Sequence, residues 1–302
     1  MKRINLIVLI FLVISYTSIS GQENDKKEAE FNPRISNFRI QTGFFTNKSA
    51  TANLSDFTEL VSDSEMLEEI LTLPELEYYG FPYGSEKTST MSVNLGIDFF
   101  DASNDEYANP HLRLGFSYHA GTNKKVNVLY EDKTRYDTLV SNNTDQIMYL
   151  DSVNSHRYSM EYMSEQVRFD ASLVYRTSPE RRCVFYAGAG ITAGMSVNTS
   201  TKIRYDYSEF VEAGFDNSSS YSYDYFRESY SDIEFHTNKL NYGFSIFIPV
   251  GIDFRLGKEK SFWKEMHLFF EMRPGINGFV IPELDTYTYA VVHSNIGLKY
   301  EW

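Results

Sequence analysis

Cysteine is nearly missing from this chain. Its single copy, Cys183 among 302 residues, excludes an internal disulfide and argues against a cysteine-built metal site. No cysteine stands near the N-terminus to carry a lipid. Basic residues are in deficit, 28 Lys and Arg against 41 Asp and Glu, for a formal net charge of −13. That balance argues against nucleic acid and anionic polymers as partners. Beyond residue 14 no apolar run approaches the ~18 residues of a membrane-spanning helix. There is no glycine-rich phosphate loop, no HExxH zinc helix and no EF-hand calcium loop. No cofactor, metal or catalytic residue is expected.

What the chain has instead is alternation. At the C-terminus Ala290, Val292, Ile296, Leu298, Tyr300 and Trp302 share one face, interrupted only by Ser294. His293, Asn295, Gly297, Lys299 and Glu301 share the other. This period-two pattern predicts a strand with one apolar and one polar surface. It exceeds the ~9–11 residues a tilted strand needs to cross a bilayer. A mean hydropathy of −0.37 does not conflict, because half the residues of such a strand face a polar lumen.

Seven further segments alternate in the same way: residues 37–45, 88–100, 111–121, a stretch ending near 176, 183–197, 240–256 and 266–276. The segment 240–256 alternates without a break from Leu240 to Leu256. Connectors between these strands run long, short, long, short, long, short and then intermediate. The long ones are residues 46–87, 122–157 and 198–239. The expectation is an all-β fold: an eight-stranded antiparallel up-and-down transmembrane β-barrel with three long extracellular loops. A soluble β-sandwich also alternates, but would not carry a continuous apolar band outward. A lipocalin-like barrel would turn its apolar face inward.

The N-terminus fits export. Lys2 and Arg3 precede the apolar residues 4–14, and small residues at 18–21 precede Gln22. This predicts a secretory signal peptide over residues 1–21. Residues 22–36 then form a periplasmic segment ahead of a barrel at 37–302, with both mature termini periplasmic.

The signal peptide, eight alternating strands and terminal aromatic strand resemble the small outer-membrane barrels of Gram-negative bacteria. The Gln22 start, tyrosine-rich loops and terminal KYEW are similar to the PorT-like barrel family. The resemblance implies a bacterial outer-membrane location, contact with outer-membrane lipid, and the barrel assembly machinery as a partner during biogenesis. Tyr300 and Trp302 would form the assembly signal. It implies no catalytic residue.

The predicted lumen face carries Asp98, Arg113, Arg168, Asp170, Asp253, Arg255, Glu271, Arg273 and Lys299, with Arg39, Arg176 and Glu301 beside them. Isolated buried ions are too costly, so these side chains should pair and fill an interior of eight-strand width. A selective pore or transport accessory is the rival reading. Taken as residues 48–87, 123–156 and 198–238, the long loops hold twenty-two acidic and nine basic residues and account for the chain's negative charge. The third loop gathers Tyr205, Tyr207, Tyr221, Tyr223, Tyr225 and Phe226, a candidate contact surface for an extracellular protein or glycan. In the first loop, residues 55–72 suit a helix capped by Ser55, packed on its neighbours or lying over the barrel mouth. Ser117 and His119 share a lumen face, and a hydrolase would need a carboxylate such as Glu161 or Asp170 to orient the histidine.

Overall fold

The computed structural model describes residues 31–47, 52–79, 86–100, 110–140, 147–177, 181–215, 225–257, 261–284 and 286–302. The segment read as a signal peptide lies outside them.

Eleven strands form one antiparallel sheet: β1 (Phe31–Asn47), β2 (Glu77–Tyr78), β3 (Glu86–Phe100), β4 (Pro110–Val140), β5 (Ile147–Arg176), β6 (Cys183–Phe215), β7 (Tyr225–Thr237), β8 (Tyr242–Phe247), β9 (Val250–Arg255), β10 (Met266–Val280) and β11 (Tyr287–Glu301). The first and last close on each other, in register from Asn37 opposite Glu301 to Phe45 opposite His293. The Trp302 amide adds a hydrogen bond to the Ser36 carbonyl at 3.1 Å. With β8 and β9 as one staff, the ring has eight staves.

That shared staff corrects the unbroken strand expected at 240–256. Pro249 interrupts it, because proline has no N–H to donate to the ladder. The register is kept across the gap: Phe247 faces Gly190 and Val250 faces Ala187. β1 likewise begins at Phe31, ahead of the expected start at residue 37.

Two of the three expected long loops are not loops. β4, β5 and β6 run for 31, 30 and 33 residues, about three times a membrane crossing. Above the ring they continue as a half-cylinder, with β7 added beside β6 and β2 beside β4. β5 shows the reason. In its lower half Gln166, Arg168, Asp170 and Ser172 are buried inside, while Val167, Phe169, Leu173 and Tyr175 are exposed outside. In its upper half the inside row becomes Tyr158, Met160 and Tyr162, all fully buried. The outside row there becomes Arg157, Ser159 and Glu161. Polarity inverts along one strand with no change of side-chain parity. A search for outward apolar rows therefore ends where the inversion begins.

The first long connector folds into two helices, α1 (Leu54–Leu60) and α2 (Glu65–Thr72), where one had been expected. Asn53, not Ser55, is the N-cap of α1, and the Asp56 carboxylate accepts its backbone N–H at 3.3 Å. Ser64 caps α2, accepting from the Leu67 amide at 3.1 Å. Phe57, Leu67 and Ile70 pack from the helices onto Val128, Tyr158, Met160 and Ile203 of the upper sheet. Ile281, just beyond β10, joins the same cluster, so this core reaches down to the ring's upper edge. A short helix α3 (Ser261–Glu265) closes the base between β9 and β10.

Candidate functional site

The ring interior is narrow, and glycine makes room for its large side chains. A Cβ on Gly190 would lie 2.5 Å from the Phe247 ring, and one on Gly243 would lie 2.5 Å from the Arg168 guanidinium. Into this space β1, β3, β4, β5, β6, β9, β10 and β11 each turn charged or polar residues.

At the base, Asp98 accepts from His111 Nδ1 at 2.6 Å and from Arg176 at 3.0 Å. Arg176 reaches on to Glu301 at 2.9 Å. Lys299 touches Glu301 and Asp253, both at 2.5 Å, and Asp253 also holds His267 Nδ1 at 2.7 Å. These contacts join strands on opposite sides of the ring. Arg255 stands beside this layer, opposite His267 in register and half-buried.

One layer higher, the fully buried Glu271 carboxylate lies 2.5 Å from Arg113 and 2.5 Å from Arg273. Arg273 approaches Asp170 at 4.0 Å. A buried ion is tolerable when paired and hydrogen-bonded, and Glu271 meets that condition through both arginines, while the Arg113 guanidinium also lies 4.4 Å from the Tyr186 centroid. Arg39 and Arg168 have a different solution. Arg39 donates to Asn37 at 3.2 Å with its guanidinium over Phe269 and Tyr186 at 5.1 and 5.6 Å. Arg168 donates to Gln166 and Asn277, both at 2.8 Å, and lies 5.1 Å from the Phe279 centroid. Amide dipoles and ring faces replace the missing carboxylates. Above Arg168, Phe45, Phe279, Tyr289 and Val291 form an apolar layer.

The serine–histidine pair resolves differently from a catalytic triad. Ser117 Oγ lies 3.0 Å from His119 Nε2 and donates to Asp170 at 3.0 Å. The carboxylate is therefore on the serine's side, whereas a triad puts it behind the histidine. Glu161 is on the outer row of β5, away from the lumen, in an ion pair with Lys125 at 2.6 Å. Among the described residues no group of three or more His, Cys, Asp or Glu is placed to hold a metal.

The expected aromatic contact surface is divided. Tyr205 is only 7 % exposed and stacks on Tyr158 at 4.7 Å, so it offers little to a partner. It belongs to the inside row whose polarity has inverted. Tyr207 is half-buried beside Tyr230 and donates to Asn154 at 3.0 Å. Tyr225 and Phe226 are on the β7 backbone, and Tyr221 and Tyr223 lie outside the described residues. Burial pushes the Tyr158 and Tyr205 phenols up and the His156 imidazole down, favouring the neutral form of each.

Sequence reasoning missed the contact that ties the helices to the sheet. The Glu234 carboxylate on β7 accepts from Ser64 Oγ at 2.6 Å and from the Met66 amide at 3.3 Å, at the start of α2. No local pattern signals a pair so distant in sequence. At the base, Trp302 is exposed, Tyr300 donates to Glu265 at 2.6 Å, and Phe262 and Trp263 stand nearby. Together these rings form an aromatic fringe at the base.

No family model matches the chain, and no curated protein does. Among solved structures it is similar to Neisserial surface protein A, at 10 % identity over 88 % of this chain and 97 % of that one, with a TM-score of 0.23. It is similar to Ail, the attachment invasion locus protein of Yersinia pestis, at 11 % identity over 89 % and 100 % of the two chains, with a TM-score of 0.20. The transport unit of the autotransporter AIDA-I from Escherichia coli follows at 14 % identity, 97 % of each chain and a TM-score of 0.19. At these scores the likenesses carry no functional inference. In its own geometry, the closed antiparallel ring of eight strands resembles eight-stranded outer-membrane barrels.

Proposed function

We propose that this chain is an integral outer-membrane β-barrel with a lumen filled by its own side chains, acting as a structural or binding protein through its extracellular part. The observation that carries the reading is the inversion along β5. Exposed Val167, Phe169 and Leu173 suit hydrocarbon outside a polar core, and Arg157 and Glu161 above them suit water outside an apolar core. One strand crossing from lipid into water accounts for both halves. The base, with its short turns and aromatic fringe, is then periplasmic, and the half-cylinder capped by α1 and α2 is outside the cell.

The paired charges at Glu271 and Asp253 and the apolar layer at Phe45 and Phe279 favour a closed lumen over a pore. The extracellular sheet and its helices are the part free to meet a partner. Within the barrel class, Gln22 and the terminal KYEW keep the PorT-like likeness, which assigns no activity.

Three measurements test this reading on the purified protein and on intact cells. Unboiled protein should migrate apart from boiled protein on a denaturing gel, because every strand edge of the ring is paired. Planar bilayers should show no sustained conductance. Protease added to intact cells should cut the segment that joins β6 to β7. A single gel position with recovery in the soluble periplasm would overturn the barrel. Robust channel openings would overturn the closed lumen and favour a transport role.

A further inference from the structure

β7 (Tyr225–Thr237) pairs with β6 and, among the described residues, with no other strand. Its far edge is a row of backbone donors and acceptors standing outside the membrane, and the Ile233 N–H is already accepted by the Asp232 carboxylate at 2.8 Å. Natural edge strands are commonly blunted by charged side chains or proline; β7 has no proline, and its charges are acidic apart from Arg227. Its two side-chain rows differ in chemistry. The row facing the helices carries exposed Glu228, Tyr230 and Asp232, followed by Glu234, which is engaged with α2. The opposite row runs through exposed Ser229 and Ser231 to Ile233 at 42 % and Phe235 at 66 % exposure.

We propose that the open edge of β7 receives an extended segment of a partner polypeptide in which basic and apolar residues alternate. An added strand would satisfy the backbone edge, and its alternate side chains would fall into the two existing rows. Basic residues would lie beside Glu228 and Asp232, with the Tyr230 ring between them as a cation–π face. Apolar residues would lie beside Ile233 and Phe235. A second copy of β7 fits poorly, since it brings the same acids to the same edge. This inference rests on the extracellular placement of the sheet.

The test uses the full chain in nanodiscs of zwitterionic lipid and a fluorescent nine-residue peptide alternating lysine and valine. A glutamate–valine counterpart and a form N-methylated on alternate amides serve as comparisons. The lysine peptide should bind, and the glutamate peptide should bind about tenfold or more weaker. N-methylation should remove binding, because the ladder needs those amides. The double change Glu228→Lys and Asp232→Lys, both at exposed positions, should reverse the charge preference. No binding of the lysine peptide, unchanged binding of the methylated form, or an unreversed preference would each overturn the proposal. Heat-modifiable migration of the same preparation reads the barrel assignment separately, so the two failures are distinguishable.

Discussion

Glu234 and Ser64 are 170 residues apart in the chain and 2.6 Å apart in space. One carboxylate on an edge strand thereby fixes the start of α2, accepting a hydroxyl proton and the Met66 backbone amide, with His236 Nε2 at 3.1 Å. The positive end of the helix adds to the attraction. The core between the helices and the upper sheet is assembled around this contact.

Replacing Glu234 by alanine should weaken the docking of α2 by about 1.5–3 kcal/mol, the range for hydrogen bonds to a charged group. Hydrogen exchange at the α2 amides should speed up while the ring strands stay protected. The dependence on pH has a definite sign. Burial pushes the Glu234 carboxyl up, but the hydrogen bonds from Ser64, His236 and the Met66 amide prevail and hold it below its ordinary 4.5. A depressed folded-state value means the stabilisation is present above the unfolded value and is lost as pH falls through the folded one. Protection of α2 should therefore decline below about pH 4.5 in the parent and show no such step in Glu234→Ala.

Ile248 and Phe247 are adjacent and face opposite media. Ile248 is 56 % exposed on the outer belt, and Phe247 is 5 % exposed over Gly190. Ile248→Arg should cost about 2–4 kcal/mol in folding into liposomes if the side chain meets lipid at the midplane. A change at Phe247 should follow lumen packing and be insensitive to bilayer thickness. Equal tolerance of arginine at positions 246, 248 and 250 would contradict the outward register.

Glu271 is the shared partner of Arg113 and Arg273. Removing it leaves both guanidiniums buried, and Glu271→Gln should destabilise the barrel by about 3–5 kcal/mol. Urea unfolding from lipid or detergent measures this. A second change, Arg113→Met in the same chain, should recover part of the loss by removing the excess charge. Two additive losses would show that the three side chains do not act as a unit.

The terminal strand should govern assembly more than the stability of the assembled barrel. Removing residues 300–302 deletes the Trp302 amide bond to Ser36, the Glu301 contacts with Arg176 and Lys299, and the Tyr300 and Trp302 rings of the aromatic fringe. Insertion in cells should fail, while the purified truncated chain should fold in detergent at reduced yield. Surface display is scored by protease cleavage between β6 and β7 in intact cells. Undiminished display of the truncated protein would refute the assembly role.

Alternation alone sufficed for the ring. A side-chain period of two, read from Leu240 to Leu256 or from Ala290 to Trp302, sorts residues into outward-facing and lumen-facing rows whatever their neighbours in space. The same parity placed Asp98, Glu271, Arg273 and Lys299 inside. It could not say that Glu271 chooses Arg113 and Arg273, or that Asp170 serves Ser117 and not His119. Those choices depend on the stagger between strands, which no single strand encodes. The upper sheet was hidden for a different reason. Tyr158, Met160 and Tyr162 keep the parity of Gln166 and Arg168, yet their meaning depends on what surrounds them. The sequence carries the period, but whether the apolar row turns inward or outward is settled by the solvent at that height. Only the tertiary structure, by placing α1 and α2 inside the half-cylinder, supplies the apolar partner that draws that row in.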